Sequence, residues 1–169
     1  LFAFPDFRAA EYALQMLRQV SGRSGRKKEK GRVMIQTYDP THIVLQSLLS
    51  GHDEPFYQKE LEERKLFQFP PYYRLVKVTF RNKDRNKNNR IAYEFSHFLR
   101  PIFGDRVSTP VMPMVSFIKH YYLLDVFVKL HRSRSEGDDF RARMDYFIRE
   151  VRSRPGYSNF RIIVDVDPV

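Results

Sequence analysis

Cysteine is absent from these 169 residues, which excludes disulfides and cysteine-ligated zinc from this stretch of chain. No apolar run approaches the ~18–20 residues a helix needs to cross a bilayer, so no membrane-spanning helix is expected. The N-terminal residues lack a basic segment followed by an apolar one, so no signal peptide is read there. Phosphate-cradling loops of the form GxxxxGKS or GxxxxGKT, acidic DExH motifs and GxSxG nucleophile elbows are also missing. Without them the chain has no self-contained site for a nucleoside triphosphate or for serine-based hydrolysis. The histidines, His42, His52, His97, His120 and His131, show neither HxxxH nor HExxH spacing, and none is assigned to a metal.

Acidic residues are the scarcer charge. Thirty lysines and arginines stand against twenty aspartates and glutamates, giving a net charge of +10 and a pI near 9.9. That excess favours a polyanionic partner, because lysine and arginine release condensed counterions from nucleic-acid phosphates. The cations are also clustered. Arg23, Arg26, Lys27, Lys28, Lys30 and Arg32 share their neighbourhood with one acid, Glu29, and Arg81, Lys83, Arg85, Lys87 and Arg90 with only Asp84. No basic amphipathic helix with exposed aromatics points to a membrane surface instead.

A chain of this length buries one good core, or one core and part of another. Asp6 after Pro5 caps a predicted helix over 6–20, with Phe7, Ala10, Leu14 and Leu17 at helical spacing. A strand is predicted over 32–37. A second helix follows Asp39 and Pro40, with Asp39 as cap, an apolar stripe of Val44, Leu45, Leu48 and Leu49, and Gly51 as its stop. A third begins near Asp53 and Glu54, carries a Glu60–Arg64 pair four residues apart, and is halted by Pro70 and Pro71. The domain boundary is placed near Gln68, dividing the chain into 1–68 and 69–169.

Beyond the prolines the periodicity changes. Val76, Val78 and Phe80 alternate with Lys77 and Thr79, as on a half-buried strand. Ile91, Phe95, Phe98, Leu99 and Ile102 form a helical stripe, and Phe140, Met144, Phe147, Ile148 and Val151 repeat its offsets. Two strand-like runs, 112–119 and 122–130, lie between these helices, and Phe160, Ile162, Val164 and Val166 alternate at the end. The order βαββαβ predicts an α+β, ferredoxin-like domain with two helices on one face of an antiparallel sheet. Asp165 and Asp167 share a strand face and are read as edge charges rather than a catalytic pair.

One short stretch carries chemistry. Gly22-Arg23 and Gly25-Arg26 set two guanidiniums three residues apart, each behind a glycine that leaves room for a close approach. A guanidinium is a permanently charged fork matched to phosphate oxygens. The stretch follows Pro5-Asp6-Phe7-Arg8-Ala9-Ala10-Glu11 and Gln19, and precedes Gly31-Arg32-Val33-Met34-Ile35-Gln36-Thr37. Further on stand Leu61-Glu62-Glu63-Arg64, Phe69-Pro70-Pro71-Tyr72 and Val164-Asp165-Val166-Asp167-Pro168. In this order the motifs resemble the primosomal replication-restart DNA helicase family (primosomal protein N-prime, PriA) of superfamily 2, over almost the whole chain.

The resemblance implies the tail of a helicase second motor lobe, then a C-terminal domain of ribosomal-protein-like fold. It implies that Arg23 and Arg26 neutralise the γ-phosphoryl group of ATP, with Gln19, Gly22 and Gly25 completing the phosphate contacts. ATP, Mg²⁺ and a zinc lobe would belong to the parent protein outside this stretch, leaving the fragment itself inactive. The chain opens within a helicase pattern and without an initiator methionine, so it reads as a C-terminal piece. Implied partners are forked DNA, the acidic, phenylalanine-ended tail of single-stranded DNA-binding protein, and other primosome proteins, in a cytoplasmic, nucleoid-associated setting.

Candidate nucleic-acid and partner contacts are Lys27, Lys28, Arg81, Lys83, Arg85, Lys87, Lys119, Arg132 and Arg134, with Tyr72, Tyr73, Tyr121 and Tyr122 as candidates for base stacking. Arg132 or Arg134 is the expected carboxylate contact. Residues 135–139 are read as an acidic connection. The competing reading is a non-enzymatic RNA- or DNA-binding protein of ribosomal-protein-like fold.

Overall fold

The alternating stretch after the prolines folds as a single strand, β1 (Tyr73–Asn82), the central organiser of the C-terminal part. The computed structural model describes residues 6–23, 32–157 and 159–168. Within it the chain divides into two compact units, Leu1–Phe67 and Gln68–Val169.

In the second unit β1 is followed by α4 (Arg85–Phe103), a single 3₁₀ turn, β2 (Phe117–Ile118), β3 (Tyr121–His131), α5 (Arg134–Ser153) and β4 (Arg161–Val166). The strands order β2-β3-β1-β4, and every neighbouring pair is antiparallel. This is the split βαβ arrangement, with the third strand inserted between the first two. Val76, Val78 and Phe80 lie opposite Val128, Val126 and Leu124 on one side and Val166, Val164 and Ile162 on the other. Directly opposed residues share a face. That face joins Ile91, Phe95 and Leu99 of α4 and Phe140, Met144, Phe147 and Val151 of α5 in one core. The two helices meet where the Phe95 and Phe147 rings approach edge-on at 5.1 Å.

Three details depart from the sequence expectation. Phe103 is buried and Ile102 is exposed, so α4 closes its apolar stripe one residue later than the offsets predict. Only Phe117 and Ile118 of the predicted strand 112–119 form regular ladder. Residues 107–116 follow the β3 edge through separate bridges, Val107 with Val128 and Val111 with Asp125, because Pro110 and Pro113 have no N–H to donate. Residues 135–139 are the first turns of α5, not a connection. Ser133 caps that helix by accepting from the Glu136 amide at 3.3 Å, Glu136 reaches back to the His131 amide, and the acids lie where the helix dipole favours them.

The first unit contains α1 (Ala9–Arg23), α2 (Ile43–Ser50) and α3 (Glu54–Leu66). Ala13, Leu14, Val44 and Phe56 form its buried cluster. Residues 32–37 are irregular rather than the predicted strand. A strand needs a ladder partner, and the described residues of this unit offer none. The α2 cap is His42, whose Nδ1 accepts from the Val44 amide at 3.3 Å, while Asp39 holds the Thr41 amide at 3.0 Å. Leu49 is exposed and drops out of the predicted stripe. Gly51 ends α2 with φ 71, the left-handed stop expected of it.

Asp53 makes no side-chain cap bond to α3. Its carboxylate instead receives the Arg18 guanidinium from α1 and the Ser47 hydroxyl from α2. Those two donors hold it below the usual aspartate range. Arg64 lies 3.9 Å from its predicted partner Glu60 but only 2.8 Å from Glu11, so its closer tie is to α1.

Candidate nucleic-acid and partner surfaces

The arginine stretch does not begin in a loop. The first helix runs on through Gly22 and Arg23, so Gly22 is helical, and a Cβ built there meets nothing within 4 Å. Gln19 and Arg23, four apart, share a helix face, and both are exposed. Arg23 has no acidic partner among the described residues. Gly25, Arg26, Lys27 and Lys28 lie outside the described residues, as does Lys30. What is visible is one free guanidinium and one amide side by side, suited to meeting an anion held by other groups.

At one end of the sheet in the second unit, two connections bring cations together. The β1–α4 turn supplies Lys83 and the first turn of α4 Lys87, the end of α5 supplies Arg152, and β4 opens with Arg161. These side chains, with Tyr121, line a notch of about 640 Å³. Arg81 and Arg161 are direct cross-strand partners, so their charges face each other on one side of the sheet. Tyr121 is their pedestal. The Arg81 Cζ lies 4.1 Å from its ring centroid, the Lys83 Nζ 5.7 Å and the Arg161 Cζ 5.9 Å. Lys87 donates to the Gly156 carbonyl at 3.3 Å. Gly156 has φ 80, a left-handed conformation that favours glycine, and a Cβ there would sit 3.2 Å from the mobile Lys87 Nζ.

Asp84 is the one carboxylate on the notch wall, and it is engaged in capping α4 through the Asn86 and Lys87 amides, at 2.9 and 3.1 Å. Of the residues expected here, Arg81, Lys83 and Lys87 converge. Arg85 points elsewhere, lining a smaller cavity with Tyr93, Met112 and Phe117. Arg90 is paired with Glu94 at 2.9 Å. Arg152 and Arg161 were not singled out from sequence. The signal was present, since a split βαβ sheet pairs its first and last strands.

Lys119 occupies the tip of the β2–β3 hairpin with His120. Both residues have positive φ, 48 and 66, as a two-residue turn of the primed type requires. Neither is glycine or asparagine, so the tip is strained. Of the predicted stacking tyrosines, Tyr73 packs on His131 at 4.8 Å and Tyr122 on Phe117 at 4.8 Å, while Tyr121 carries the cations. Tyr72 is exposed.

The second basic surface is a groove of about 660 Å³ between α5 and the β1–β4 side of the sheet. Its floor is apolar, with Phe140, Met144, Ile148, Val164 and Val166. Val164 and Val166 are exposed because β4 is an edge strand that α5 leaves uncovered. Arg74, Arg132, Arg134 and Arg141 rim the groove, with Asp138 and Asp145 among them. Arg132 donates to the Pro71 carbonyl at 2.9 Å, and Arg134 stands almost fully solvated, 3.9 Å from Asp138. Beside it, Arg106 donates to Glu136 at 2.7 Å. Burial raises the Glu136 carboxyl, but the hydrogen bonds from Arg106 and the His131 amide outweigh it and hold it below the ordinary glutamate range. Asp165 makes only a 3.9 Å contact to Lys77, and Asp167 accepts from the Leu75 amide at 2.9 Å. Asp167, just past the end of β4, thus ties the chain back to β1, while Asp165 is a half-exposed edge charge.

Among the described residues no three histidines, cysteines or acids gather as a metal site, and no helix is long and apolar enough to cross a membrane. No protein-family model matches the chain. Curated relatives match nearly all of it. The Bacillus subtilis replication restart protein PriA is 34% identical over 97% of this chain, and its Treponema pallidum counterpart 33% identical over 98%. The Chlamydia trachomatis protein of the same name is 42% identical over 98%. The chain belongs to the PriA family. It spans about a fifth of the length of these PriA relatives, covering 20%, 24% and 21% of them respectively. Matches over 97–98% of the chain take in both the arginine-bearing helix and the basic α+β unit, so the PriA likeness is not confined to one of them.

Proposed function

We propose that this chain is the C-terminal portion of an ATP-dependent 3′–5′ DNA helicase that recognises stalled replication forks and restarts replication by assembling a primosome. The observation that carries this reading is the pairing, in one PriA-family chain, of Arg23, exposed at the end of α1 with no acidic partner among the described residues, with a basic split-βαβ unit. In the parent, bound ATP with Mg²⁺ supplies the phosphoryl group whose hydrolysis drives strand separation. Here Arg23 and Arg26 neutralise charge on that group, Gln19 adds a hydrogen bond, and Gly22 and Gly25 keep the approach open. These residues cannot hold the nucleotide themselves, so the chain by itself does not turn over ATP. Zinc belongs to the parent outside this stretch; no cysteine is present to bind it here. The whole works in the cytoplasm, at the nucleoid.

The second unit binds. Its arginine-rimmed groove suits an acidic peptide ending in phenylalanine, as in the tail of single-stranded DNA-binding protein. The apolar floor takes the ring, and Arg132 or Arg134 takes the carboxylate. Other primosome proteins complete the assembly.

Fluorescence anisotropy of the 169-residue chain against forked and linear duplexes tests the reading. Tighter binding to the fork is expected; equal binding, with structured RNA bound as well as DNA, would favour a plain ribosomal-protein-like binder. In the intact parent, Arg23→Ala with Arg26→Ala should cut DNA-stimulated ATP turnover by ~10³-fold or more.

A further inference from the structure

We propose that the notch at the Tyr121 end of the sheet is a phosphate-binding site that grips the nucleic-acid backbone, and that Tyr121 serves it as a pedestal for cations rather than as a base-stacking platform. The proposal rests on the DNA-binding reading above and locates it. Five cations, Arg81, Lys83, Lys87, Arg152 and Arg161, have no ion-pair partner among the described residues, although such pairs are common elsewhere on this surface. Arg81 and Arg161 oppose each other across adjacent strands, an arrangement that destabilises a sheet unless something neutralises it. The Arg81 Nε is buried without a hydrogen-bond partner. Asp84, the one wall carboxylate, is spent on capping α4.

Phosphodiester oxygens match the four cations that line the notch, Lys83, Lys87, Arg152 and Arg161, while Arg81 lies over the Tyr121 ring and adds its charge from there. An acidic peptide fits less well, since the notch wall is mostly polar and charged, with Phe160 its one aliphatic or phenyl side chain, whereas the groove beside α5 has a broad apolar floor. Arg81, Lys83 and Arg161 already crowd the Tyr121 ring, which leaves that ring ill-placed to receive a base. Recognition here is therefore of backbone, not sequence.

The experiment is anisotropy with fluorescein-labelled forked DNA and the 169-residue chain, across a salt series. Lys87→Glu with Arg161→Glu should weaken binding by about tenfold or more and reduce the slope of log K against log salt by roughly two. Arg100→Glu with Arg149→Glu makes the same charge change away from the notch and should shift affinity by less than about threefold. Arg161→Gln alone keeps the test open if the double variant unfolds. Relief of like-charge repulsion should raise its Tm by about 1–4 °C while its affinity falls by about threefold or more, opposite signs that a merely structural arginine would not give. Tyr121→Leu should weaken binding as well, and binding should not depend on base sequence.

If the wild-type chain binds the fork while the notch and control variants weaken it equally, the notch assignment falls and the DNA-binding reading stands. A wild-type chain that does not bind the fork removes both. Binding that survives the charge changes but is lost with Tyr121→Leu would make Tyr121 a stacking residue and overturn the proposal.

Discussion

The two units of this chain solve the burial problem to very different degrees. Residues 68–168 close eighteen buried residues into one core between a sheet and two helices. Among its described residues the first unit buries a cluster of four, Ala13, Leu14, Val44 and Phe56, and leaves Tyr12, Met16, Val20, Leu49, Leu61 and Phe67 exposed. Apolar burial is the dominant favourable term in folding, so among the described residues the second unit holds the larger share of it. In the first, polar ties carry more of the organisation: Asp53 gathers Arg18 and Ser47 from two other helices, and Arg64 reaches Glu11. The proposed nucleic-acid and peptide surfaces follow the same division. A module meant to grip a ligand by fixed charges needs a rigid base, and the basic notch and groove both stand on the better-packed unit.

The largest break in this comparison comes from the larger core. Phe95→Ala removes a fully buried ring packed on Phe80 and Phe147 and should cost ~3–5 kcal/mol. Urea unfolding of the 169-residue chain checks it. A cost below ~1 kcal/mol would mean that the core is loosely packed.

Next is Asn88, fully buried on α4, whose side-chain amide donates to the carbonyls of Phe80 and Tyr122 at 3.2 and 3.1 Å. Asn88→Ala removes both of these hydrogen bonds from a fully buried site and should cost ~1–3 kcal/mol, again by urea unfolding. Sequence patterning could not single out this residue, because it looks like one of several polar residues in Arg85-Asn86-Lys87-Asn88-Asn89.

A smaller effect is acid lability in the second unit. Burial raises the Glu94 and Glu136 carboxyls, but hydrogen bonds from Arg154 and Arg90, and from Arg106 and the His131 amide, leave both below the ordinary glutamate range. A carboxylate depressed in the folded state adds stability that is complete above its unfolded pKa and is lost as pH falls through the folded value. Stability should therefore drop below about pH 4.5, and Glu136→Gln should flatten that drop while costing ~1–2 kcal/mol at pH 7. Thermal melts at a series of pH values measure both. A pH profile unchanged by the substitution would contradict the assignment.

The smallest effects have the opposite direction. Lys119→Asn with His120→Gly relieves two left-handed residues at the hairpin tip and should stabilise by ~1–2 kcal/mol. In the first unit, burial raises the Glu60 carboxyl despite Arg64. A carboxyl raised in the folded state disfavours folding as pH rises through that value. Glu60→Gln should therefore leave stability unchanged or slightly improved at neutral pH, in contrast to Glu136→Gln.

How much of this was legible in the sequence tracks the same contrast. Val76, Val78 and Phe80, and the matched stripes of α4 and α5, report their faces directly because one side of each element is buried in a single large core. The Val164 and Val166 alternation is equally regular, yet the residues are exposed; periodicity cannot reveal that a strand lies at an edge beyond its helix. Residues 32–37 have strand-like composition, but pairing is a non-local property. The candidate site was read in part. Arg81, Lys83 and Lys87 cluster in sequence and in space. Arg85 does not follow them, because successive helical residues point in different directions. Arg161 joins them only through strand pairing, and Arg152 through the end of α5. The capping pair Ser133 and Glu136 is open to view as an S-x-x-E pattern, a helix-start signal that outweighs the acidic composition by which 135–139 resemble a connection.

The central claim is that the better-packed unit both folds alone and holds the DNA. Residues 68–169, expressed separately, should unfold cooperatively in urea and bind forked DNA within about threefold of the full 169 residues. A folded 68–169 fragment that has lost fork binding would contradict the account.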